Sequence, residues 1–332
     1  MKPLSGRTFD VVCVGEALVD FLPDRRGQRV RDVERWTRCP GGSPANVSIG
    51  LARLSARAAY LGVVGEDEFG AFLTDALAAE GVDVSAVRRT RLARTGLVFI
   101  TLDESGERSF TDYRKPSAEL LLEPGDVRRF ELSDTRAAHL VANSLLEPAA
   151  GEAGRELLAS ARAAGCLTSC DPNLRCSFWD EPRRLRELID SLLPLTDVIK
   201  LAEDEVEFVT AEKNPARAAR RLAERGVKLA VVTLGARGAM ACRDGRILAA
   251  VAPRVEVVDQ TGAGDGFDAG LLFWITRAMR SGRAFESLSD AEIVAAMTLA
   301  CRVGANVVTR LGAVAGLPRL AEVETSSHRR GL

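Results

Sequence analysis

The segment DQTGAGDGFDAG at residues 259–270 joins glycines to aspartates and carries almost no bulky side chains. Gly262, Ala263 and Gly264 precede residues 266–279, whose apolar spacing predicts a helix. Backbone amides at a helix N-terminus lack partners and attract anions, and glycine lets a ligand approach the backbone closely. The segment therefore has the composition of a site where backbone amides hold an anion.

Asp265 falls in the first turn of that predicted helix, where the helix dipole stabilises a carboxylate. Amide donors beside a positioned carboxylate suit transfer of a phosphoryl group, because the donors hold the developing charge and the carboxylate orients or deprotonates the acceptor hydroxyl. The simpler alternative is that Asp265 caps a helix after a glycine turn. Apolar runs at 255–258 and 271–275 flank the segment, so we expect it to be anchored between two buried elements.

The composition is that of an ordinary globular chain and excludes several classes of function. Of the 332 residues, 46% are hydrophobic and 27% are charged, and 45 basic against 46 acidic residues give a net charge of -1. No basic excess is available to attract nucleic acid or an anionic membrane. No run approaches the ~20 apolar residues of a membrane span, and the N-terminus lacks the apolar core of a signal peptide, so we expect a cytoplasmic protein.

Several familiar catalytic and nucleotide-binding motifs are missing from the sequence. His139 and His328 are its two histidines, which argues against Ser-His-Asp or Cys-His catalysis. The seven cysteines are scattered through apolar surroundings, and we interpret them as reduced structural thiols rather than a zinc site. Neither GxxxxGK[ST] nor a GxGxxG after the first strand is present, which argues against a P-loop NTPase or a dinucleotide-dependent oxidoreductase.

The elements that must position these residues follow an alternation of strand and helix patterns. We predict strands at 9–15, 58–65, 137–143, 167–170, 197–201 and 229–235. We predict helices at 43–56, with Ser43 as N-cap before Pro44, and at 67–81, 148–164, 181–193, 202–210 and 215–226. Such alternation predicts an α/β fold with right-handed crossovers, a doubly wound, mostly parallel sheet covered on both faces.

Two segments interrupt the alternation. Residues 27–39 form a polar strand pattern without a following helix, and residues 95–114 contain two strand patterns around an ESGE turn, which predicts a hairpin. We expect them to form a small antiparallel sheet that stands off the main domain. Ligands of open parallel sheets bind at the carboxyl ends of the strands. The candidate residues are therefore those just after the strands, at 15–20, 171–175, 200–203, 233–238 and 259–265.

Two motifs in the chain resemble the signatures of a known family. GGSPANVSIGLARLSARAAYLGVVGEDEFG at 41–70 and DQTGAGDGFDAG at 259–270 resemble the N-terminal and C-terminal signatures of the ribokinase-like (PfkB) carbohydrate kinases. The resemblance covers nearly the whole chain. It implies one kinase domain over 1–332, with a small β-sheet lid inserted from about 16–40 and 90–115. It also implies a kinase that uses ATP and Mg²⁺ to phosphorylate a small sugar.

The resemblance also assigns roles to individual residues. Asp265 matches the base for the sugar hydroxyl, and the amides of Gly262, Ala263 and Gly264 match the anion hole for the γ-phosphate. The sugar-holding positions of the family correspond to Asp20, Gly41, Gly42 and Asn46. From the residues alone, the two glycines could equally form a tight turn, and Asn46 could cap a helix.

The nucleotide and ion positions follow in the same way. The ATP-binding positions of the family correspond to Lys200, Thr233, Gly235 and Gly238, and Glu203 matches the acid that organises Mg²⁺ through water. Lys200 and Glu203 could instead be a solvated charge pair at a helix start. The resemblance matches a monovalent-cation site for K⁺ to Asp259 and Thr261, although Gly316 stands where ribokinase has a serine. Cys301 replaces the usual adenine-edge asparagine, which leaves the nucleotide preference open.

The stretches YRKPSAELLL at 113–122 and DPNLRCSFW at 171–179 resemble fructokinases, so D-fructose is the implied substrate. Arg114 and Arg175 lie in these stretches and would reach the crevice, where an arginine fork suits polar or anionic groups. Surface ion pairing is the alternative for each arginine. Two other functions stay open: a 2-keto-3-deoxygluconate kinase, whose arginines would hold a carboxylate, and a non-catalytic sugar-binding relative.

The partners follow from the same resemblance and from the charge balance. Lid strands in the family often pair across a two-fold axis, so the resemblance implies a homodimer through residues 27–39 and 95–114. The sugar and ATP are the small-molecule partners that it implies. With a net charge of -1 and no membrane span, we expect neither nucleic acid nor a membrane as a partner.

Overall fold

The computed structural model describes residues 2–25, 27–102, 108–174 and 181–325. Within them the strands are β1 (Phe9–Val14), β2 (Leu18–Pro23), β3 (Trp36–Gly41), β4 (Ala58–Gly65), β5 (Asp83–Thr90), β6 (Leu97–Leu102), β7 (Arg108–Tyr113), β8 (Thr135–Val141), β9 (Leu167–Asp171), β10 (Val198–Ala202), β11 (Leu229–Thr233), β12 (Ala239–Arg243) and β13 (Arg246–Ala250). The helices are α1 (Ser43–Arg53), α2 (Glu68–Ala79), α3 (Pro124–Arg128), α4 (Pro148–Ala163), α5 (Pro182–Leu192), α6 (Val206–Thr210), α7 (Pro215–Glu224), α8 (Ala263–Met279), α9 (Asp290–Val307) and α10 (Leu320–Thr325).

The main sheet has the strand order β13-β12-β11-β10-β9-β8-β1-β4-β5. Its pairings are parallel from β5 to β11, and β12 and β13 add an antiparallel edge. Helices α3 to α7 cover one face and α1, α8, α9 and α10 the other, each over its own apolar cluster. The predicted doubly wound α/β class is confirmed.

Three strands of the main sheet were missing from the prediction. β5 and β13 are edge strands, and because an edge is exposed on one side its sequence lacks the apolar run of a central strand. The β12–β13 hairpin turns through Asp244 and Gly245, both at positive φ. An Asp-Gly pair between apolar stretches is a strong hairpin signal and could have identified both strands.

A second, smaller sheet has the order β3-β2-β6-β7. Its outer pairs are antiparallel, but its central pair, β2 with β6, is parallel. The expected small antiparallel sheet is confirmed, with two antiparallel pairs. Its central pair is parallel because the chain passes through β3, α1, β4, α2 and β5 before β6 and returns in the same direction. The first strand is Leu18–Pro23 rather than the polar stretch at 27–39, which reaches strand geometry only from Trp36.

The small sheet is separate from the main sheet, as expected, and contacts the main domain through α2. The rings of Phe21 on β2 and Phe69 on α2 meet edge to face, with centroids 5.9 Å apart. The Arg38 guanidinium of β3 lies 4.3 Å from the ring centroid of Phe72, also on α2. These contacts fix the small sheet above the carboxyl ends of the main strands.

Helix α8 begins at Ala263, directly after Gly262, which has a φ of 78°. Its glycines and those of its neighbours permit close approach: a methyl group at Gly50 of α1 would come within 2.7 Å of the Ala269 Cβ. The apolar run at 255–258 does not anchor the segment from the other side. It forms neither strand nor helix, and Val257 is 54% exposed, because no strand pairs with it and it crosses the surface.

Among the described residues, no helix combines the length and the hydropathy of a membrane-spanning segment.

Candidate active site

A cleft of about 620 Å³ lies where the carboxyl ends of the main strands face the small sheet. Most of the residues singled out in the sequence line it together: Asp20, Gly42, Asn46, Arg114, Lys200, Glu203, Thr233, Gly235, Thr261, Gly262, Ala263, Gly264 and Asp265. Three others do not line it: Gly41, Gly238 and Asp259. Arg175 lies outside the described residues.

Asp265 sits in the first turn of α8 and is buried. Both of its carboxylate oxygens accept hydrogen bonds from α1: the Asn46 Nδ2 donates to Oδ2 at 2.8 Å, and the Ser43 Oγ donates to Oδ1. Asp265 therefore does not cap its own helix, whose N-cap is Gly262. Ser43 is not the N-cap of α1 either, because Gly42 holds that position and the Ser43 hydroxyl faces Asp265.

The electrostatic environment of Asp265 differs from the expectation drawn from its helix position. Burial raises the pKa of Asp265, and the donors Ser43 and Asn46 together with the Lys200 charge offset that rise only in part. A position at a helix N-terminus favours the anion in general, but here desolvation by burial outweighs every stabilising contribution. The result is a carboxylate that is held in one orientation and is a stronger base than a free aspartate.

The glycine turn at 262–264 requires a glycine at position 262, because of the backbone conformation there and the close packing around it. Gly262 is at positive φ, and a methyl group there would lie 2.6 Å from the Ala313 Cβ, so no other residue fits without strain. The Ala263 amide donates to the Gln260 carbonyl oxygen at 3.3 Å, which closes the turn before α8. All three residues face the cleft beside Asp265.

Asp20 lies on β2 on the small-sheet side of the cleft. Burial, reinforced by the charge of Glu16, raises its pKa to about 7. Gly41 does not reach the cleft, but a methyl group there would fall 2.3 Å from the Asp20 Oδ2. Gly41 therefore leaves room for the Asp20 carboxyl group, and Gly42, with a φ of 94°, turns the chain into α1.

Arg114 is buried at the base of the small sheet, with 3% of its surface exposed. Its Nε lies 2.9 Å from the Glu119 Oε1, and its Nη2 lies 3.3 Å from the Glu16 Oε2. The alternative of a surface ion pair is thus wrong for this residue. Glu119 was not predicted from the sequence; its carboxylate reaches Arg114 across a short turn of the chain.

On the opposite side of the cleft, Lys200 is buried rather than solvated. Its Nζ lies 2.6 Å from the Asp171 Oδ2 and 3.6 Å from the Asp268 Oδ2. Glu203 instead forms an exposed ion pair with Arg237, so the predicted alternative of a Lys200–Glu203 pair is wrong. Asp268 was missed, because only its spacing of three residues from Asp265 on one helix face pointed to the site.

Thr233 and Gly235 line the cleft at the end of β11. The Thr233 Oγ1 donates to the Leu201 carbonyl oxygen at 3.4 Å, which ties β11 to β10. Gly235 and Gly238 both have positive φ. A methyl group at Gly238 would lie 2.1 Å from the Ala250 carbonyl oxygen, so this glycine permits close packing of β13 and does not itself reach the cleft.

Asp259 connects two loops behind the glycine turn. Its Oδ1 accepts hydrogen bonds from the Thr261 amide at 2.9 Å and the Thr261 hydroxyl at 2.6 Å, and its Oδ2 accepts from the Gly312 amide at 2.8 Å. Three donors occupy three of the about four acceptor positions of the carboxylate, so about one position is left for a cation. A serine in place of Gly316 would clash with the backbone, because its Cβ would lie 2.3 Å from the Val307 carbonyl oxygen.

The described residues contain no group of three or more His, Cys, Asp or Glu side chains arranged to hold a metal ion. Glu203 is the candidate acid that faces the cleft on the Lys200 side, and it is partly exposed. One carboxylate at the mouth of an anion-binding cleft fits a Mg²⁺ ion that keeps most of its water and arrives on phosphate oxygens.

Comparison with known proteins gives a consistent result. Residues 8–320 match the profile of the pfkB family carbohydrate kinases. The chain is 38% identical over 316 residues to a fructokinase from Klebsiella pneumoniae, across 94% of this chain and 97% of the relative.

Two solved structures have the same fold. A fructokinase from Vibrio cholerae O395, in fructose, ADP and calcium ion bound form, matches with a TM-score of 0.85 and 34% identity over 97% of this chain and 99% of that one. A putative ribokinase II from E. coli, in complex with ATP and Mg²⁺, matches with a TM-score of 0.86 and 29% identity over 97% of this chain and 100% of that one.

Proposed function

Because the chain belongs to the pfkB family of carbohydrate kinases, we propose that it transfers the γ-phosphate of ATP to a primary hydroxyl of D-fructose. The observation that carries the proposal is the Asp265 carboxylate, buried beside a glycine turn and held by two donors at the floor of the cleft. The fructokinase relatives, one of them solved with fructose and ADP, support the choice of sugar.

Asp265 is the proposed base. The acceptor hydroxyl of the sugar gives its proton to the Asp265 carboxylate as its oxygen bonds to the γ-phosphorus and the bond to the leaving ADP oxygen breaks. Ser43 and Asn46 hold the carboxylate in the orientation from which it accepts that proton. The amides of Gly262, Ala263 and Gly264 stabilise the charge on the transferred group.

The nucleotide is proposed to lie on the other side of the glycine turn. Thr233 and Gly235 end a main-sheet strand there, and Lys200 supplies a buried positive charge. Mg²⁺, when bound to the triphosphate, neutralises phosphate charge, and Glu203 is the side chain placed to orient its water. Asp259 and Thr261 remain the proposed K⁺ position, although the hydrogen bonds to Asp259 argue for a weak site.

The charges on the sugar side favour a neutral substrate over a sugar acid. In the described part of the chain, that side holds the carboxyl groups of Glu16, Asp20, Glu119 and Asp265 against the single guanidinium of Arg114. Because Arg114 already pairs with two carboxylates, it has little charge left for a substrate carboxylate. We therefore propose that Arg114 shapes the sugar subsite and that D-fructose is preferred to 2-keto-3-deoxygluconate.

The proposal also covers the domain organisation, the cellular location and the oligomeric state of the protein. We propose one kinase domain over 1–332, with lid strands inserted from about 16–40 and 90–115, and a cytoplasmic location where ATP is available. The small sheet ends in the edge strands β3 and β7, and Tyr113 on β7 is 64% exposed, which supports a homodimer through the lid. Light scattering should give twice the mass of the chain, and a monomer mass would contradict the dimer.

The test of the function is ADP release with Mg-ATP on D-fructose, 2-keto-3-deoxygluconate, ribose and no sugar. We expect turnover on D-fructose, and we expect Asp265→Asn to lower kcat by roughly 10²- to 10⁴-fold, the range for a lost general base. Asp75→Asn, an exposed aspartate on α2, is the matched control and should behave as the wild type. Full activity of Asp265→Asn would refute the mechanism, and preference for the keto-acid would refute the substrate.

A further inference from the structure

Three buried charged side chains meet directly beneath the glycine turn, each from a different element. Asp171 ends β9, Lys200 lies on β10 and Asp268 lies on α8 one turn after Asp265. The Lys200 Nζ faces both carboxyl groups, 2.6 Å from the Asp171 Oδ2 and 3.6 Å from the Asp268 Oδ2. A methyl group on Gly264 would lie 3.1 Å from the same nitrogen, so the ammonium lies next to the anion-hole turn.

Asp268 and Asp171 differ in their hydrogen-bond partners. Asp171 accepts hydrogen bonds from the Lys200 ammonium and from the Asn173 amide, at 2.6 and 2.9 Å. The Asp268 Oδ2 is buried and has no hydrogen-bond partner among the described residues. Burial raises the pKa of Asp268 far above its usual range, and a hydrogen bond between the two carboxyl groups adds to the rise. Desolvation therefore favours the protonated, neutral form of Asp268.

The charge balance of the cluster follows from that proton. With Asp268 as a neutral acid, the charges of Lys200 and Asp171 balance, and the three side chains together carry no net charge. With Asp268 ionised, two carboxylates would face one ammonium, and the net negative charge would lie beneath a turn that has to receive phosphate. Burying that unmatched carboxylate would also cost several kcal/mol.

We propose that Asp268 is a positioning residue that, as a neutral acid, holds the Lys200 ammonium against the anion-hole backbone. Lysine carries its charge on a flexible four-carbon chain, so a single partner, Asp171, does not fix where the ammonium sits. Asp268 presents a second carboxyl oxygen 3.6 Å from the nitrogen and confines it without cancelling its charge. The ammonium then faces an incoming γ-phosphate from below Gly264. This role rests on the proposed kinase function.

The test compares Asp268→Asn with Asp268→Ala. Asparagine keeps the shape, the neutrality and a donor for Asp171, so we expect kcat and the ATP KM to stay within about threefold of the wild type. Alanine frees the ammonium, and we expect kcat and the affinity for a non-hydrolysable ATP analogue, measured by calorimetry, to fall about 10- to 100-fold, the range for groups that orient a ligand-binding side chain. The fructose KM should not change.

The controls separate positioning from folding. Thr276→Val alters a buried side chain on α8 about two turns from Asp268 and should leave both the kinetics and the analogue affinity unchanged. If Asp268→Ala does not fold, Asp268→Ser replaces it. An Asp268→Asn variant as impaired as the alanine variant would overturn the proposal, since it would show that the carboxylate charge is needed. An alanine variant equal to the wild type would overturn it as well.

The same experiment distinguishes a failure of the proposed function from a failure of the positioning role. If the wild type releases no ADP with any sugar, the kinase proposal fails. Binding of the ATP analogue still reports on Asp268 in that case, because it requires no turnover. Weaker binding in Asp268→Ala, with wild-type binding in Asp268→Asn, would then uphold the positioning role alone.

Discussion

At the scale of single residues, the pKa of Asp265 is set by a balance between burial and the donors from α1. Removing the Ser43 hydroxyl in Ser43→Ala deletes one donor to the anion, so the pKa of Asp265 rises further. The base acts only when ionised, so the acid limb of kcat/KM moves to higher pH. A hydrogen bond to a charged group contributes about 1.5 kcal/mol or more, which corresponds to a shift of about one pH unit.

The measurement is a profile of kcat/KM between pH 5 and 9 for both proteins. Ser48→Ala is the matched control, because its hydroxyl donates to the Ala45 carbonyl oxygen on the same helix and does not touch Asp265. Its acid limb should coincide with that of the wild type. An acid limb at the same pH in Ser43→Ala and the wild type would contradict the assignment of Asp265 as the base.

Ser43 also shows what sequence alone could and could not provide for single residues. A serine before proline at the start of a helix pattern is a good N-cap by local preference. Its actual partner lies 222 residues away, and no local pattern contains that information. Asp265 and the glycines were predictable because the residues that form this part of the site are contiguous in the sequence. Asp268 was missed because its two partners come from β9 and β10.

At the scale of elements, the position of Asp265 depends on how closely α1 and α8 pack. Gly50→Ala places a methyl group 2.7 Å from the Ala269 Cβ and 3.2 Å from the Leu317 Cδ2, so the helices must separate. Overpacking costs about 1–3 kcal/mol, against ~1 kcal/mol that alanine adds through helix propensity, so we expect a small net loss of stability. Because Asn46 and Asp265 move apart, kcat should fall up to ~100-fold.

Urea unfolding and steady-state kinetics check this result together. Gly125→Ala on α3 is the control: its nearest contact would be the Glu123 Oε1 at 3.5 Å, the end of a flexible side chain. We expect Gly125→Ala to keep full activity and to equal or slightly exceed the wild type in stability. If Gly50→Ala kept the wild-type kcat, close packing of α1 on α8 would not be what positions the base.

The elements themselves were predictable wherever burial dictated a pattern. Most central strands and long helices carry a continuous apolar run or a helical apolar spacing, and these were found within a few residues of their observed ends. The 18-residue helix α9 and the inner strand β12 were missed. The apolar run at 255–258 was wrongly expected to be a buried element. A short stretch rich in valine forms a strand only if a neighbouring strand is there to pair with it. The parallel pairing of β2 with β6 depends on the route of the chain between them, which no local pattern records.

At the scale of the whole molecule, a charge cluster at the amino end of β1 joins distant parts of the chain. The Asp10 carboxylate is fully buried and accepts hydrogen bonds from Arg136 at 3.1 Å and from Arg280, whose Nε lies 2.9 Å away. It also accepts from the Arg57 amide at 2.7 Å. Asp10→Asn leaves the buried Arg136 without its counter-charge, so we expect a loss of about 3–5 kcal/mol in the free energy of unfolding.

Urea titration gives that loss directly, and kcat and both KM values should remain those of the wild type below the unfolding transition. Glu187→Gln serves as the control, because its ion pair with Arg183 is exposed on α5 and should contribute less than ~1 kcal/mol. A loss in Asp10→Asn no larger than in the control would show that the buried cluster does not hold the fold together.

The two ends of strand β1 therefore have different roles, one in stability and one at the cleft. Asp10 near its start ties together four distant segments, and Glu16 just beyond its finish faces the cleft. Six residues of extended chain separate them by roughly 20 Å. A protein engineer can exploit this separation: heat tolerance can be raised by substitutions around Asp10, and substrate range can be altered by substitutions around Glu16, in independent libraries whose gains combine additively.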